Sequence, residues 1–592
     1  MILTKIYSNL DGTFMPISLH KGLNIVLGEM RNPDNMNVDD HNLGKSKLAE
    51  LIDFCLLKGK SKSFFLFKHF DKFKDFTFFL EVEYKTGKYL TIKRSVNNSS
   101  KASFLKHSDK WQNFCKLPEE DWTHFNLPFD KAKQTLDSFL NIEIIKPWDY
   151  RMPVSYALRS QSDYKDVFQL SKFVHHITWK PYIAQLLGLD AALVKKQYEL
   201  KIELDKESNT LKRLKGELAG FTESLDKLEG LILLKEEDTG EIKKQLDTFN
   251  FNLAESNVNK DLVSNIDAKL AELNKQRYYI SCNIENLETS LNKHSISFNP
   301  DEAKELFSEA GLLFDGQIKK TYDELIQFNK EITAERKNYL KKELAKSKEE
   351  LKNINKEIES ENSNRSKALA FLKDSGSIEK YKILSNKLIK LEAEILALKS
   401  KEVRLIEYNE TKAKVTDIKS KIDANKSLIE QNVKSTKSKD SKYSQIRLHF
   451  NSIIKEILDK EALISIDQNG EGNLEFKDEI LDSRGQGTSE GSGNTYKKLL
   501  CIAFDIAINQ IYATEKYSHF IYHDGFLETL DNRKKQKFIE LLRKITNNKF
   551  QYIGTLIDSE IPSDDPDFFS DEEIILKLHD GKSGTLFKGI SF

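Results

Sequence analysis

Near the amino end of the chain, residues of the types that can grip a phosphate chain fall in the order strand, long loop, helix. Leu23-Asn-Ile-Val-Leu-Gly28 reads as a buried strand, and Asn42-Leu-Gly-Lys-Ser46 leads into an amphipathic run from Leu48 to Leu56. In such a turn the backbone N–H groups and the helix amino end face an anion, Lys45 reaches the outer phosphates and Ser46 ligates magnesium. Gly28, Asn42, Gly44, Lys45 and Ser46 are therefore the candidate nucleotide-binding residues, with Ser46 also a candidate metal ligand. Fifteen residues separate Gly28 from Gly44, far more than the ordinary phosphate loop places between its glycines. A bare Gly-Lys-Ser also opens many surface helices, so the reading needs a second set of residues.

That set lies at the other end of the chain. Phe520-Ile-Tyr-His-Asp524 has the form of an apolar strand ending in a carboxylate, the group that completes the magnesium shell of a phosphate-loop site. Leu530-Asp531 follows at the spacing of a D-loop, which makes Asp531 a further candidate. Gly485-Gln-Gly-Thr-Ser-Glu-Gly-Ser-Gly493 precedes a helix expected from Thr495 to about Ile511, a second glycine-rich helix amino end suited to a terminal phosphate.

These residues need a scaffold, and the chain supplies two kinds of pattern. Residues 1–190 alternate short apolar runs with turns; Phe76–Tyr84 and Tyr89–Lys93 flank Lys-Thr-Gly-Lys and predict a hairpin. From Leu211 the period changes. Leu211, Leu214, Leu218, Phe221, Leu225, Leu228 and Ile232 form a heptad seam, answered by Leu384, Leu388, Leu391, Ile395 and Leu398 and then by Val415, Ile418, Ile422 and Ile429. Two seams flanking a break imply one antiparallel coiled-coil hairpin over 191–440, with its apex near 297–318 and smaller interruptions at Asp238-Thr-Gly240 and Asp374-Ser-Gly-Ser377. Residues 441–592 return to globular patterning, with hairpins expected at Leu463–Ile466 with Leu474–Phe476 and at Glu573–Leu578 with Gly584–Phe587. The two globular segments are expected to meet as one head.

Composition agrees with that plan. All four Trp precede residue 180, and between Pro181 and Pro562 the only proline is Pro300, the distribution of a long helical stretch. The 92 Lys and Arg balance 92 Asp and Glu, which excludes a polybasic coat and an acidic tail. The four dispersed cysteines form no CxxC pair, there is no signal pattern at the start and no apolar run is long enough to span a bilayer, so a cytoplasmic protein is expected.

The order phosphate loop, coiled-coil arm, glycine-rich loop and carboxylate-ending strand resembles the SMC-like branch of the ABC ATPases, which includes the chromosome-condensing proteins and the break-repair ATPase that partners the Mre nuclease. More narrowly, Gly22-Leu-Asn-Ile-Val-Leu-Gly28, the delayed Asn42-Leu-Gly-Lys-Ser46, Ile52-Asp-Phe-Cys-Leu56 and the closing Leu586-Phe-Lys-Gly-Ile-Ser-Phe592 look like the YydD-like family of bacterial SMC-like proteins. The resemblance implies an α/β, mixed-sheet ABC-type ATPase head split by a long antiparallel coiled-coil hairpin, with ATP and Mg2+ as its ligands. It makes Asp524 the Walker B aspartate and a metal ligand, Ser492 and Gly493 the signature pair, and Gln161 the Q-loop residue, which contacts nucleotide and metal. It also implies a second copy, or a related head, that closes around the nucleotide.

Two positions depart from the family pattern. Gly525 stands where such ATPases carry the glutamate that activates water, and the strand Gln551–Thr555 runs into Leu556-Ile557 where a switch histidine is usual. Glu528 is the substitute candidate for general base, and ATP binding is better supported than hydrolysis. DNA is the expected macromolecular ligand, with Lys58, Lys60, Lys62, Lys68, Lys72 and Lys74, interleaved with Phe64 and Phe65, as a candidate strip for phosphate contact and base stacking. No nuclease constellation is evident. The resemblance therefore points to a DNA sensor or clamp controlling a separately encoded effector in bacterial antiphage defence of the Lamassu kind. A repair or chromosome-maintenance ATPase and a structural tether with a vestigial site are the alternatives.

Overall fold

The computed structural model describes residues 1–29, 31, 43–218, 224–247, 256–292, 316–370, 375–547, 549–562, 568–581 and 584–590. Met1–Glu203 and Lys419–Phe592 make one compact unit, and Leu204–Ile418 make a second. The chain is thus a mixed α/β fold interrupted in sequence by long helices. No helix among the described residues is long and apolar enough to cross a membrane.

The first unit is organised by a five-stranded parallel sheet in the order Ile574–His579, Gly22–Glu29, Gln551–Ile557, Phe520–His523, Leu158–Arg159. Both ends of the chain contribute to it. The inner strands are near-continuous apolar runs because parallel strands are covered on both faces. The register aligns Ile557 with Gly28, Gly554 with His523 and His523 with Arg159. The residues that follow these strands therefore emerge along one edge, the carboxyl edge where open α/β sheets bind ligands.

A six-stranded sheet, in which Thr77–Lys85 and Lys88–Ser95 form the expected hairpin around Gly87, packs into the same apolar core. Glu461–Gln468 and Leu474–Leu481 form the second expected hairpin, with alternating burial on the first strand. The third expected hairpin is not made. Ile574–His579 pairs in parallel with Gly22–Glu29, and residues 584–587 form no strand. The Leu586 N–H instead donates to the Leu43 carbonyl at 3.2 Å, and Phe587 is buried among Phe14, Phe65, Phe73 and Phe76. The apolar side chains of that segment are committed to the core.

In the second unit, ion pairs fix the direction of the helices. Glu217 pairs with Arg404, Lys235 with Glu394, Lys243 with Glu392, Lys269 with Glu361 and Glu288 with Lys348. Partner numbers fall as residue numbers rise, so the pairing is antiparallel. Leu214, Leu228 and Ile232 of the first seam and Val415 and Ile418 of the second are buried, while Phe221 lies outside the described residues. The apex expected near 297–318 also lies outside them, apart from the start of helix Gly316–Ala370.

Asp238-Thr-Gly240 does not interrupt the arm, because helix Leu225–Asp247 runs through it. The Thr239 hydroxyl donates to the Lys235 carbonyl at 2.7 Å, and a single helical glycine costs only about 1 kcal/mol. On the other side helix Gly316–Ala370 ends and helix Ser375–Ser435 begins. Near that change of helix, Asp267 pairs with Arg365 at 2.7 Å and accepts from Tyr381 and Ser385.

One charged cluster lies wholly inside the first unit. Arg159 is fully buried; its Nε donates to Asp505 Oδ2 at 2.7 Å, and its remaining N–H groups go to Asp505 Oδ1 and the carbonyls of Asp163, Asp166 and Val167. His523 lies between Asp505 Oδ2, 3.1 Å from Nε2, and the Tyr552 hydroxyl, 3.0 Å from Nδ1. Burial drives His523 below its ordinary value despite the Asp505 carboxylate, so the ring is neutral at pH 7. Nε2–H then donates to Asp505 and Nδ1 accepts from Tyr552.

Replacing Arg159 with Met leaves a buried carboxylate without its cation. Arg159→Met is expected to cost about 3–5 kcal/mol in denaturant unfolding, and Arg159→Met with Asp505→Leu to cost less than the two single changes summed. A loss under about 1 kcal/mol for the single variant would remove this pair from the account.

Candidate functional site

The strand Gly22–Glu29 delivers Gly28 to the carboxyl edge of the sheet, and helix Lys45–Cys55 begins beside it. Gly44 caps that helix at φ 101°, a conformation that favours glycine, and a Cβ there would stand 2.8 Å from the Leu586 Cβ. A Cβ at Gly28 would stand 3.2 Å from Lys45 Nζ. Both glycines therefore make room, one for the turn and one for the lysine. The main chain of Lys45 is tied to strand Phe520–His523, since the buried Tyr522 hydroxyl donates to its carbonyl at 2.8 Å. Asn42 lies outside the described residues.

Asp524 follows strand Phe520–His523 and meets the helix start. The Ser46 hydroxyl donates to Asp524 Oδ2 at 2.5 Å, and the Thr555 hydroxyl donates to Oδ1 at 2.6 Å. Thr555 Oγ1 in turn accepts from the Gly525 N–H at 2.9 Å. The Tyr164 hydroxyl donates to the Asp524 carbonyl at 3.2 Å, and burial pushes that phenol well above its ordinary value, keeping it a donor. The carboxylate is thus held by the helix after strand Gly22–Glu29 and by strand Gln551–Ile557, and the main chain of Asp524 by the segment after Arg159.

Glu528 curls back over Gly525. Its Oε1 accepts from Gln161 Nε2 at 2.9 Å and its Oε2 from Lys498 Nζ at 2.6 Å. Gln161 is therefore brought to Glu528. Glu560, on the turn after strand Gln551–Ile557, is a third carboxylate at this edge. Burial raises it, Glu528 adds to that and Lys45 opposes it. Its Oε2 accepts the Ile557 N–H at 3.0 Å, so it closes its own turn.

The glycine-rich segment ends in a short turn, Ser489–Ser492, and Gly493 caps helix Asn494–Ile511, one residue ahead of the expected start. Asp531 caps helix Asn532–Thr546, accepting from the Lys534 N–H at 3.1 Å and pairing with its ammonium at 2.7 Å; those contacts hold its carboxyl below the ordinary value.

The lysine strip divides. Lys58 pairs with Asp53 at 3.0 Å, whereas Lys60, Lys62, Lys68, Lys72 and Lys74 have exposed side chains. Phe64 and Phe65 are buried, at 5% and 3% exposure, and pack against Phe54, Phe67, Phe73 and Phe587. The base-stacking role expected for them is overturned, because their rings are core.

Lys498, Thr555, Tyr164 and the Arg159–Asp505 pair are site residues that motif spacing does not single out. One signal for them is in the sequence: Asp505 interrupts the apolar run Leu499–Ile508, and a carboxylate there needs a buried cation.

Residues 453–590 match the model of a family described as an uncharacterised protein conserved in bacteria, DUF2326. No curated protein matches. Among solved structures, the Smc head domain with a coiled coil and joint from Pyrococcus yayanosii is 13% identical over 94% of this chain and 92% of that one, with a TM-score of 0.35. The Smc head with an extended coiled coil bound to the C-terminal domain of ScpA from Pyrococcus furiosus is 10% identical over 95% and 90%, at 0.33. The recombination mediator RecF is 10% identical over 95% and 94%, at 0.27. At these TM-scores the likeness adds nothing to what the geometry carries.

Proposed function

We propose that the chain is an SMC-like, ABC-type ATPase whose head binds Mg-ATP and uses it to engage a second head. The observation that carries this reading is the 2.5 Å contact between Ser46 and Asp524, residues 478 apart in sequence, beside a lysine packed against Gly28 at a helix start. A hydroxyl and a single carboxylate are hard oxygen donors of the kind magnesium takes when phosphates and water complete its shell. Two such donors leave most of the ion's positions to phosphate oxygens and water, so the site suits a metal delivered with its nucleotide. Ser46 and Asp524 would hold the ion, which would neutralise charge on the outer phosphates.

In this reading Lys45 binds those phosphates, and Ser492 and Gly493 at the start of helix Asn494–Ile511 supply the face that closes on the nucleotide of a second copy or a related head. Gln161, bonded to Glu528, and Asp531, the cap of helix Asn532–Thr546, are the remaining nucleotide-site candidates in this reading. The resemblance of the motifs to those of YydD-like proteins favours a DNA sensor that controls a separately encoded effector in antiphage defence, and a repair or chromosome-maintenance ATPase would use the same head chemistry. The hydrogen-bonded Ser46, Asp524 and Thr555, with Lys45 packed against Gly28, argue against a vestigial site.

Equilibrium ATP binding in magnesium tests the nucleotide assignment. Lys45→Ala is expected to weaken binding at least about tenfold, the loss of one charge-assisted contact; equal affinity in wild type and variant would sink it.

With Phe64 and Phe65 in the core, the exposed lysines offer DNA phosphate contacts alone, so binding should be sequence-tolerant, ATP-dependent and steeply salt-dependent. Replacing Lys60, Lys62 and Lys68 with Glu should weaken DNA binding and lower its salt slope while ATP affinity holds. Fluorescence anisotropy across a salt series, with and without ATP, measures both. DNA affinity indifferent to the three charges would move the DNA surface elsewhere.

A further inference from the structure

Gly525 removes a carboxylate from the position next to Asp524, and the space it leaves is filled by another one. A Cβ at residue 525 would stand 2.5 Å from Glu528 Oε1, 2.7 Å from its Cδ and 3.0 Å from Oε2. At those separations a side chain at 525 would displace the Glu528 carboxylate from this position. The Glu528 carboxylate lies where a side chain at 525 would begin, and Gly525, at φ 62°, adopts the backbone conformation that lets the chain turn back over itself.

Two donors hold Glu528 there. Gln161 takes Oε1, and Lys498 takes Oε2 while also donating to the Gly525 carbonyl at 2.8 Å. Lys498 is half-enclosed, at 14% side-chain exposure, and its ammonium lies 5.1 Å from the centre of the Tyr164 ring. The same Tyr164 donates to the Asp524 carbonyl. The lysine is thus fixed against the residue that supports the proposed metal ligand, and it fixes the carboxylate beside it. Each oxygen of Glu528 retains a lone pair for a water.

We propose that Glu528 is the water-activating base of this site and that Lys498 is the positioning residue that holds it in the space Gly525 leaves open. The inference rests on the reading of the site as one for Mg-ATP. In the step, a water oxygen bonds to the γ-phosphorus, the bond from that phosphorus to the β,γ-bridging oxygen breaks, ADP leaves and the water proton passes to Glu528. Lys498 acts through Glu528, which it holds by hydrogen bond and charge. It lies on the helix that Gly493 opens, so any displacement of that helix moves the base, and hydrolysis is coupled to whatever contacts the glycine-rich loop.

The test is steady-state ATP turnover alongside equilibrium ATP binding for the full chain. Glu528→Gln should lower kcat by about 100-fold or more, the usual contribution of a general base. Lys498→Met should lower kcat about tenfold with KM and ATP affinity within about twofold, and Lys498→Arg should restore most of the loss. Gly525→Ala, which displaces the Glu528 carboxylate, should lower kcat in the same way without weakening ATP binding.

A purely structural lysine predicts a different pattern: a lowered melting temperature, with kcat per folded molecule unchanged. That result for Lys498→Met, or turnover that Glu528→Gln leaves untouched, would overturn the inference. ATP binding by the wild type without any turnover would overturn it while leaving the nucleotide reading intact, and no ATP binding at all would overturn both.

Discussion

The buried contact between Arg159 and Asp505 constrains the rest of the head. Desolvating a guanidinium and a carboxylate costs several kcal/mol each, and the cost is offset only when every donor finds an acceptor. Here the guanidinium reaches both carboxylate oxygens and three main-chain carbonyls. Meeting that demand brings the segment after strand Leu158–Arg159, helix Asn494–Ile511 and, through His523, strand Phe520–His523 to fixed separations. The Asp524 N–H donating to the Arg159 carbonyl extends the same lock to the proposed metal ligand. Gln161, Lys498 and Asp524 each lie within a few residues or two helical turns of a member of this cluster, so the site inherits its geometry from a charge pair that never touches a ligand.

The site is also a product of chain topology. Its lysine and hydroxyl come from the first fifty residues and its carboxylates from the last seventy, and they meet because strand Gly22–Glu29 is paired on both sides by strands of the carboxyl-terminal segment. Gly44 and Gly525 are then the points at which the main chain must adopt a left-handed conformation to present those groups. A pair of cations, Arg94 and Arg151, caps the far end of helix Lys45–Cys55: Arg94 donates to the carbonyls of Phe54 and Lys58, and Arg151 to that of Leu56. Cations at a helix carboxyl end oppose its dipole favourably and keep the helix, and with it Lys45, in place.

Local signals made much of this legible from the sequence. The apolar run before Gly28, the glycine ahead of Lys45, the carboxylate ending Phe520–Asp524 and the heptad seams each report a periodicity or a turn that depends on neighbours in the chain. Features decided by distant packing were not legible. Leu586 and Phe587 have the pattern of a hairpin strand but are taken up by the core, Phe64 and Phe65 have the pattern of exposed aromatics beside lysines but face Phe54 and Phe73, and Asp238-Thr-Gly240 has the composition of a break that the surrounding helix overrides. Lys498 is one lysine among many in the sequence. Only the placement of Glu528 over a glycine gives it a distinct task.

The central claim is that Ser46 and Asp524, from opposite ends of the chain, form one magnesium–nucleotide site. Titrating ATP into the wild type and into Asp524→Asn, each with magnesium and with magnesium chelated, tests it most directly. The account predicts that magnesium tightens ATP binding to the wild type by about tenfold or more and leaves Asp524→Asn nearly indifferent to the ion. Equal magnesium dependence in the two proteins would contradict it.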